Sequence, residues 1–232
     1  VAETEMHAAK RLQEAIRQET GLILPFSVGE VREGDLSLGI AKTLPEQTYE
    51  ITIDEKGGQI SGGDGAGVLY GVETFCQIVQ QCGGILPCVQ IQDAPDMPNR
   101  GYYFDQTRGR VLKLEELKKI ADRMSRYKLN QLQLYVEHTY LFRDFSEMWR
   151  DQTPLTAEEI RELDSYCRER HIELVPSLAS FGHLCTLLST KTYGDLCEME
   201  DSWKEPFSFW NRMRYHTINV SDERSLPLIK KM

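Results

Sequence analysis

The chain has 232 residues, enough for one large domain or two modest ones with real cores. Its hydrophobic content of 41% and charged content of 27% are those of an ordinary globular protein. The net charge of −9 and the pI near 5.2 set an acidic surface against any phosphate backbone, which excludes nucleic acid as the natural partner. No apolar stretch approaches the ~20 residues that span a bilayer, so no membrane partner is expected. The opening Val1-Ala-Glu-Thr-Glu5 lacks a basic segment leading into an apolar one, so no signal peptide is read. Six cysteines lie at 76, 82, 88, 167, 185 and 197 with no Cys-x-x-Cys pair and no histidine at zinc-finger spacing. They are expected to be free thiols of a reducing compartment, the cytoplasm.

Met6, Ala9, Leu12, Ala15 and Ile16 recur at three and four residues, predicting a helix over 4–19 that Gly21 ends. Strands are expected at Leu36–Ala41 and Tyr49–Asp54, the second alternating Tyr49, Ile51 and Ile53 with Glu50, Thr52 and Asp54. A turn at Gly57-Gly58 leads to a short third strand, Gln59–Ser61, and a second helix over 66–81. Gly65, Gly67 and Gly71 miss the dinucleotide spacing by one residue, and no P-loop Lys-Ser/Thr follows. They read as a tight turn from strand into helix. Pro87, Pro95 and Pro98 then mark a boundary, giving an α+β layer domain over 1–97 and a second domain over 98–232.

Beyond Pro98 the rhythm becomes strand, helix, strand, helix, strand. Tyr102–Asp105 is the first strand; Leu114, Leu117, Ile120, Ala121, Met124 and Tyr127 define the first helix; Asn130–Val136 is the second strand. Thr156-Ala-Glu-Glu159 is a capping box opening a helix expected to run to about His171, and Ile172–Leu178 is the third strand. This alternation predicts an α/β fold with parallel strands, the start of a (β/α)8 TIM-type barrel. A closed barrel takes eight strands and ~250 residues, so about three units are present and the barrel is incomplete. Open sheet edges in such a piece lead us to expect self-association.

Polar residues gather at strand ends. Arg100 precedes the first strand, and its planar guanidinium suits paired hydroxyls of a sugar as well as a structural role. Asp105 and Arg108 read as a salt-bridged strand end. Glu137 and His138 close the second strand, and Phe181-Gly-His183 follows the third. Trp149, Trp203, Phe207, Phe209, Trp210 and Tyr215 crowd the later loops, either as sugar platforms or as packing over the rim. Asp222-Glu223, after Thr217-Ile-Asn-Val220, is expected to cap a helix over 222–232.

Arg100-Gly through Asp105-Gln-Thr-Arg108, the Glu137-His138 strand end, and Pro176 with Gly182-His183 together resemble the start of family 20 glycoside hydrolases, the β-N-acetylhexosaminidases. The Gly62–Gly71 turn, with Thr74 and Gln77 in the helix after it, is similar to the small domain preceding that barrel. The resemblance implies removal of terminal β-linked N-acetylhexosamine by a substrate-assisted retaining mechanism without a cofactor or metal. Its partners would be glycans ending in β-linked N-acetylglucosamine or N-acetylgalactosamine. It gives Arg100 the hydroxyls of the terminal sugar, Glu137 and His138 a place in the pocket, and His183 a place in the network behind the catalytic pair. The sequence departs from the family where Ser177 and Ala179 replace acidic residues and where the second strand lacks histidines. The resemblance also implies that the catalytic Asp-Glu pair lies beyond Met232, with Asp222-Glu223 a decoy and the chain alone inactive.

Two other readings stand beside it. Asp105, Glu137, His138 and His183 could ligate a divalent ion in a sugar isomerase or epimerase. The chain could also be a non-catalytic carbohydrate-binding module.

Overall fold

The computed structural model describes residues 5–199, 208 and 217–232. Its elements alternate in the manner of an α/β protein, and the chain divides into two compact units. One comprises the residues up to Tyr102 with Lys119–Gln131 and Tyr166–Glu173; the other comprises Tyr103–Lys118, Leu132–Ser165 and Leu174–Met232.

The first unit is built on helix α1 (Met6–Thr20), strands β1 (Leu36–Ile40), β2 (Tyr49–Asp54) and β3 (Gly57–Gly62), helix α2 (Gly65–Cys82) and strand β4 (Val89–Asp93). The sheet order is β1-β3-β2-β4, with β1 parallel to β3 and β2 antiparallel to both its neighbours. The alternation seen in β2 sorts as expected: Tyr49, Ile51 and Ile53 are buried while Glu50, Thr52 and Asp54 are not. These residues share one core with Leu12 and Ile16 of α1 and Val72, Phe75 and Val79 of α2.

The glycine-rich turn performs the structural task. A Cβ on Gly71 would stand 2.6 Å from Ile60 Cγ2, so the glycine lets α2 lie directly on the sheet. Asp64 is the N-cap, its Oδ1 accepting from Gly67 N at 2.7 Å and also from Gln47 N at 3.0 Å.

Strand β4 is an addition to the expected elements. Val89 and Ile91 alternate with Gln90 and Gln92, but five residues so soon after Pro87 give a weak signal that the ladder with β2 completes.

The second sheet has the order β5-β6-β7, from Gly101–Asp105, Gln131–Val136 and Glu173–Leu178. Asn130 N donates to Arg100 O before the β5–β6 pair and Gln106 N to Tyr135 O after it, so the two strands run parallel. Helix α3 (Leu114–Arg126) lies between β5 and β6 in sequence, with Leu117, Ala121 and Met124 buried. Tyr127 does not join that stripe: it lies past the helix end and is 77% exposed.

Helix α5 (Ala157–Arg168) follows the short α4 (Ser146–Trp149) and stops before the expected His171. His171 takes φ 52°, a left-handed conformation that ends the turn. Its start is the capping box: Thr156 Oγ1 accepts from Glu159 N at 3.1 Å, and Thr156 N donates to Glu159 Oε2 at 2.8 Å. Replacing Thr156 with Ala is expected to cost about 1 kcal/mol in urea unfolding, the usual worth of such a cap.

The long segments after β6 and β7 build a core of their own in the second unit. Phe142, Phe145, Met148, Leu187, Leu188, Ile218 and Leu228 are among its buried members, drawn from α4, α6 (Cys185–Leu188), α7 (Ser225–Lys231) and the loops between. Trp149 packs against that core and donates Nε1 to Phe142 O at 2.9 Å, which is the packing alternative for this aromatic. Trp203, Phe207, Phe209, Trp210 and Tyr215 lie outside the described residues.

All six cysteines are free thiols, with Cys76, Cys167 and Cys197 buried. Among the described residues no helix is long and apolar enough to cross a membrane.

Candidate active site

Strand β6 ends on Val136, and the next residue is an acid, Glu137. Side chains two apart in a strand share a face, so Tyr135 and Glu137 project together. Glu137 is 5% exposed, an uncommon place for a carboxyl group. Tyr135 Oη donates to its Oε1 at 2.8 Å, and Glu137 N donates to Thr107 Oγ1 at 2.9 Å. His183 Nδ1 lies 3.9 Å from Oε1 and His138 Nδ1 lies 4.0 Å from Oε2. Those separations are electrostatic contacts rather than hydrogen bonds. A buried carboxylate between two imidazoles is thereby assembled from the ends of β6 and β7, the edge where parallel α/β sheets place their chemistry.

Each imidazole has its own support. His138 Nδ1 is 3.2 Å from Thr186 Oγ1 at the start of α6. His183 takes a left-handed φ of 60° directly after Gly182. The phenol of Tyr135 is held in its protonated form by burial and by its bond to Glu137, both of which push its pKa up. Arg108 stands 5.3 Å over the Tyr135 ring, and Tyr103 stacks against that ring at 6.0 Å between centroids.

Asp105 and Arg108 form the strand-end ion pair the sequence suggests. Arg108 Nε lies 2.6 Å from Asp105 Oδ2, and Asp105 Oδ1 accepts from Thr107 N and Arg108 N. Asp105 is therefore engaged apart from the imidazoles, and the four residues of the metal-isomerase reading do not form one ligand set. Among the described residues no group of three or more His, Cys, Asp or Glu side chains is placed to hold a metal ion.

Arg100 is engaged by neighbours in its own unit. Its Nε donates to Lys128 O at 2.8 Å, and its Nη1 donates to Met97 O at 2.8 Å and Gln47 Oε1 at 3.0 Å. The guanidinium also lies 5.2 Å over the Tyr70 ring. Backbone carbonyls thus hold two of the three nitrogens that the sequence offered to sugar hydroxyls. Lys128, at φ 57°, turns its carbonyl toward Arg100, a conformation that sequence spacing does not announce.

Asp222 and Glu223 do not meet the cluster. Asp222 Oδ1 accepts from Arg224 N at 2.9 Å and its carboxylate pairs with the Arg224 guanidinium, which holds its pKa down to about 2. Glu223 is exposed. Both acids precede α7 in a turn, one step earlier than the expected first helical turn, because the helix begins at Ser225.

The hollow shared by Glu137, His138, His183, Leu184, Thr186 and Met232 has a volume of about 10 Å³, room for a single water. A pyranose needs far more, since ligand pockets run to hundreds of Å³. A larger cavity of about 260 Å³ lies between α1, residues 24–31 and β1, with Glu30 and Asp35 as its only acidic groups and no histidine.

The fold and the cluster define an α/β chain with a buried acid–imidazole group at the C-terminal ends of parallel strands. Two family models account for the chain from end to end: "Glycosyl hydrolase family 20, domain 2" matches residues 1–94 and "Glycosyl hydrolase family 20, catalytic domain" matches residues 97–232. The chain belongs to glycosyl hydrolase family 20.

Among relatives, it is 30% identical to a beta-hexosaminidase of Akkermansia muciniphila, over 72% of this chain and 36% of the relative. It is 26% identical to one of Porphyromonas gingivalis, over 78% of this chain and 27% of the relative. The chain therefore spans about a third of the length of the curated relatives it matches. Among solved structures, a mutant Streptomyces plicatus beta-hexosaminidase in complex with its product GlcNAc superposes with a TM-score of 0.84. The superposition covers 99% of this chain and 50% of that one at 21% identity. A Bacteroides fragilis beta-N-acetylhexosaminidase superposes with a TM-score of 0.75 at 21% identity, over 96% of this chain and 46% of that one.

Proposed function

We propose that the polypeptide carrying this chain is an exo-acting β-N-acetylhexosaminidase, and that the chain supplies its accessory α+β domain and the first part of a (β/α)8 barrel. The observation that carries this reading is the buried Glu137 between His138 and His183 at the ends of β6 and β7. Its substrates are glycans with a terminal β-linked N-acetylglucosamine or N-acetylgalactosamine, a reading supported by the GlcNAc product in the Streptomyces plicatus beta-hexosaminidase it is similar to.

In such a reaction the acetamide carbonyl of the substrate attacks its own anomeric carbon while a carboxylic acid protonates the leaving oxygen. The chain's own Asp222-Glu223 does not fill that role, since Asp222 is tied to Arg224 and Glu223 is exposed. The acid and its aspartate partner are supplied by sequence outside this chain. Glu137 and His183 then act behind them, fixing charge and orientation at the pocket wall.

The test is hydrolysis of aryl N-acetyl-β-glucosaminide and N-acetyl-β-galactosaminide by the full-length polypeptide. Turnover with retention of the β-configuration, inhibited by a thiazoline analogue of the cyclised intermediate, is the expected result. A folded full-length protein that binds these sugars without turnover would instead make it a carbohydrate-binding module.

A further inference from the structure

We propose that Tyr135 is a positioning residue of this site, fixing which oxygen of Glu137 faces which imidazole. The inference deepens the hexosaminidase reading and rests on it for its kinetic test, but its geometry stands alone. A carboxyl group that is 5% exposed has two oxygens and two histidine neighbours, so its rotation about the last side-chain bond decides the pairing. Tyr135 Oη donates to Oε1 at 2.8 Å, and that is the oxygen 3.9 Å from His183 Nδ1, which leaves Oε2 toward His138. A charge-assisted bond of this length is about twice as strong as a neutral one, enough to set one rotamer.

The donor is itself prevented from moving. Tyr135 is 6% exposed, with Arg108 on its ring at 5.3 Å and Tyr103 stacked at 6.0 Å. Arg108 is in turn locked to Asp105 at 2.6 Å. The phenol therefore reaches Glu137 from a clamped ring, the arrangement by which a supporting shell holds a reacting one. The consequence is that Tyr135 acts on turnover only through the Glu137 carboxylate.

Tyr135→Phe in the full-length protein removes the hydroxyl and keeps the ring. It is expected to lower kcat about tenfold with KM unchanged, the scale of one hydrogen bond to a charged group. In a Glu137→Gln background the same change is expected to add nothing further, because the pair acts as one unit. Ring resonances of His138 and His183 in selectively labelled protein should move while those of His7 and His171 stay in place. An unchanged kcat with unmoved resonances overturns the proposal, and so does a full Tyr135→Phe loss in the Glu137→Gln background. If the wild type turns over no N-acetylhexosaminide, the hexosaminidase reading fails and the histidine resonances alone decide Tyr135. Should Tyr135→Phe not fold, Arg108→Met releases the clamp and must shift the same two histidines.

Discussion

Glu137→Gln is expected to reduce kcat of the full-length protein by about a hundredfold, the scale of losing one preorganised electrostatic contact in a dry site. Glutamine keeps the size of the side chain and an oxygen that can accept from Tyr135 Oη, so packing around the site is retained. What disappears is the negative charge 3.9 Å from His183 and 4.0 Å from His138. Its loss takes from both imidazoles a nearby negative charge that stabilises positive charge as the proton moves in the transition state. The loss should appear in kcat and kcat/KM equally, because a charge felt only in the transition state leaves substrate binding alone. Steady-state kinetics on an aryl N-acetyl-β-glucosaminide, with circular dichroism to confirm folding, measures it. An activity within a factor of about two of wild type, less than ~0.5 kcal/mol on the barrier, would reduce Glu137 to a structural carboxylate.

The sequence carried the parts of this molecule that depend on near neighbours. The alternation in Tyr49–Asp54, the turn through Gly65 and Gly71, and the Thr156–Glu159 box are local rules, and each is met in the structure. Glu137, His138 and His183 were legible as strand-end residues because parallel strands deliver their next residues to one edge. Their polar support was legible only in part. Tyr135 could have been found from the spacing alone, since a residue two before Glu137 in a strand shares its face. Arg108 over that ring and Thr186 beside His138 are distant in sequence and follow from packing.

Arg100 was legible by type and place but not by its partners, since the carbonyls of Met97 and Lys128 and the amide of Gln47 take its Nε and Nη1. The same region hides a second long-range cluster, in which Lys128 Nζ donates to Tyr49 Oη and Thr74 Oγ1, both at 2.7 Å, while Tyr49 Oη donates to Asp93 at 2.6 Å. No periodicity in the chain points to a lysine reaching a strand 79 positions earlier.

Arg11→Met is expected to destabilise the protein by about 3 kcal/mol, through a carboxylate rather than through the arginine itself. Arg11 of α1 meets Glu73 of α2 in a two-pronged pair, with Nε to Oε1 at 2.9 Å and Nη2 to Oε2 at 3.1 Å. The Glu73 side chain is only 4% exposed and the Arg11 side chain 20%, so water cannot replace the guanidinium if it is removed. The neighbouring Cys76 supplies no cation, and burial above all pushes its thiol up to about 12, so it adds no second negative charge beside Glu73. Methionine fills the space of the arginine stem, so the cost reports a stranded charge and not a cavity. The control is the double replacement Arg11→Met with Glu73→Met, which removes both charges from a seam already lined by Leu12, Val72 and Cys76. Because an apolar pair of similar volume often matches a buried ion pair, the double variant is expected within about 1 kcal/mol of wild type. Urea unfolding at neutral pH of the three variants, Glu73→Met included, resolves the cycle. A single Arg11→Met cost below about 1 kcal/mol would mean that Glu73 finds water or another cation, and the seam between α1 and α2 would then be held by its apolar residues alone.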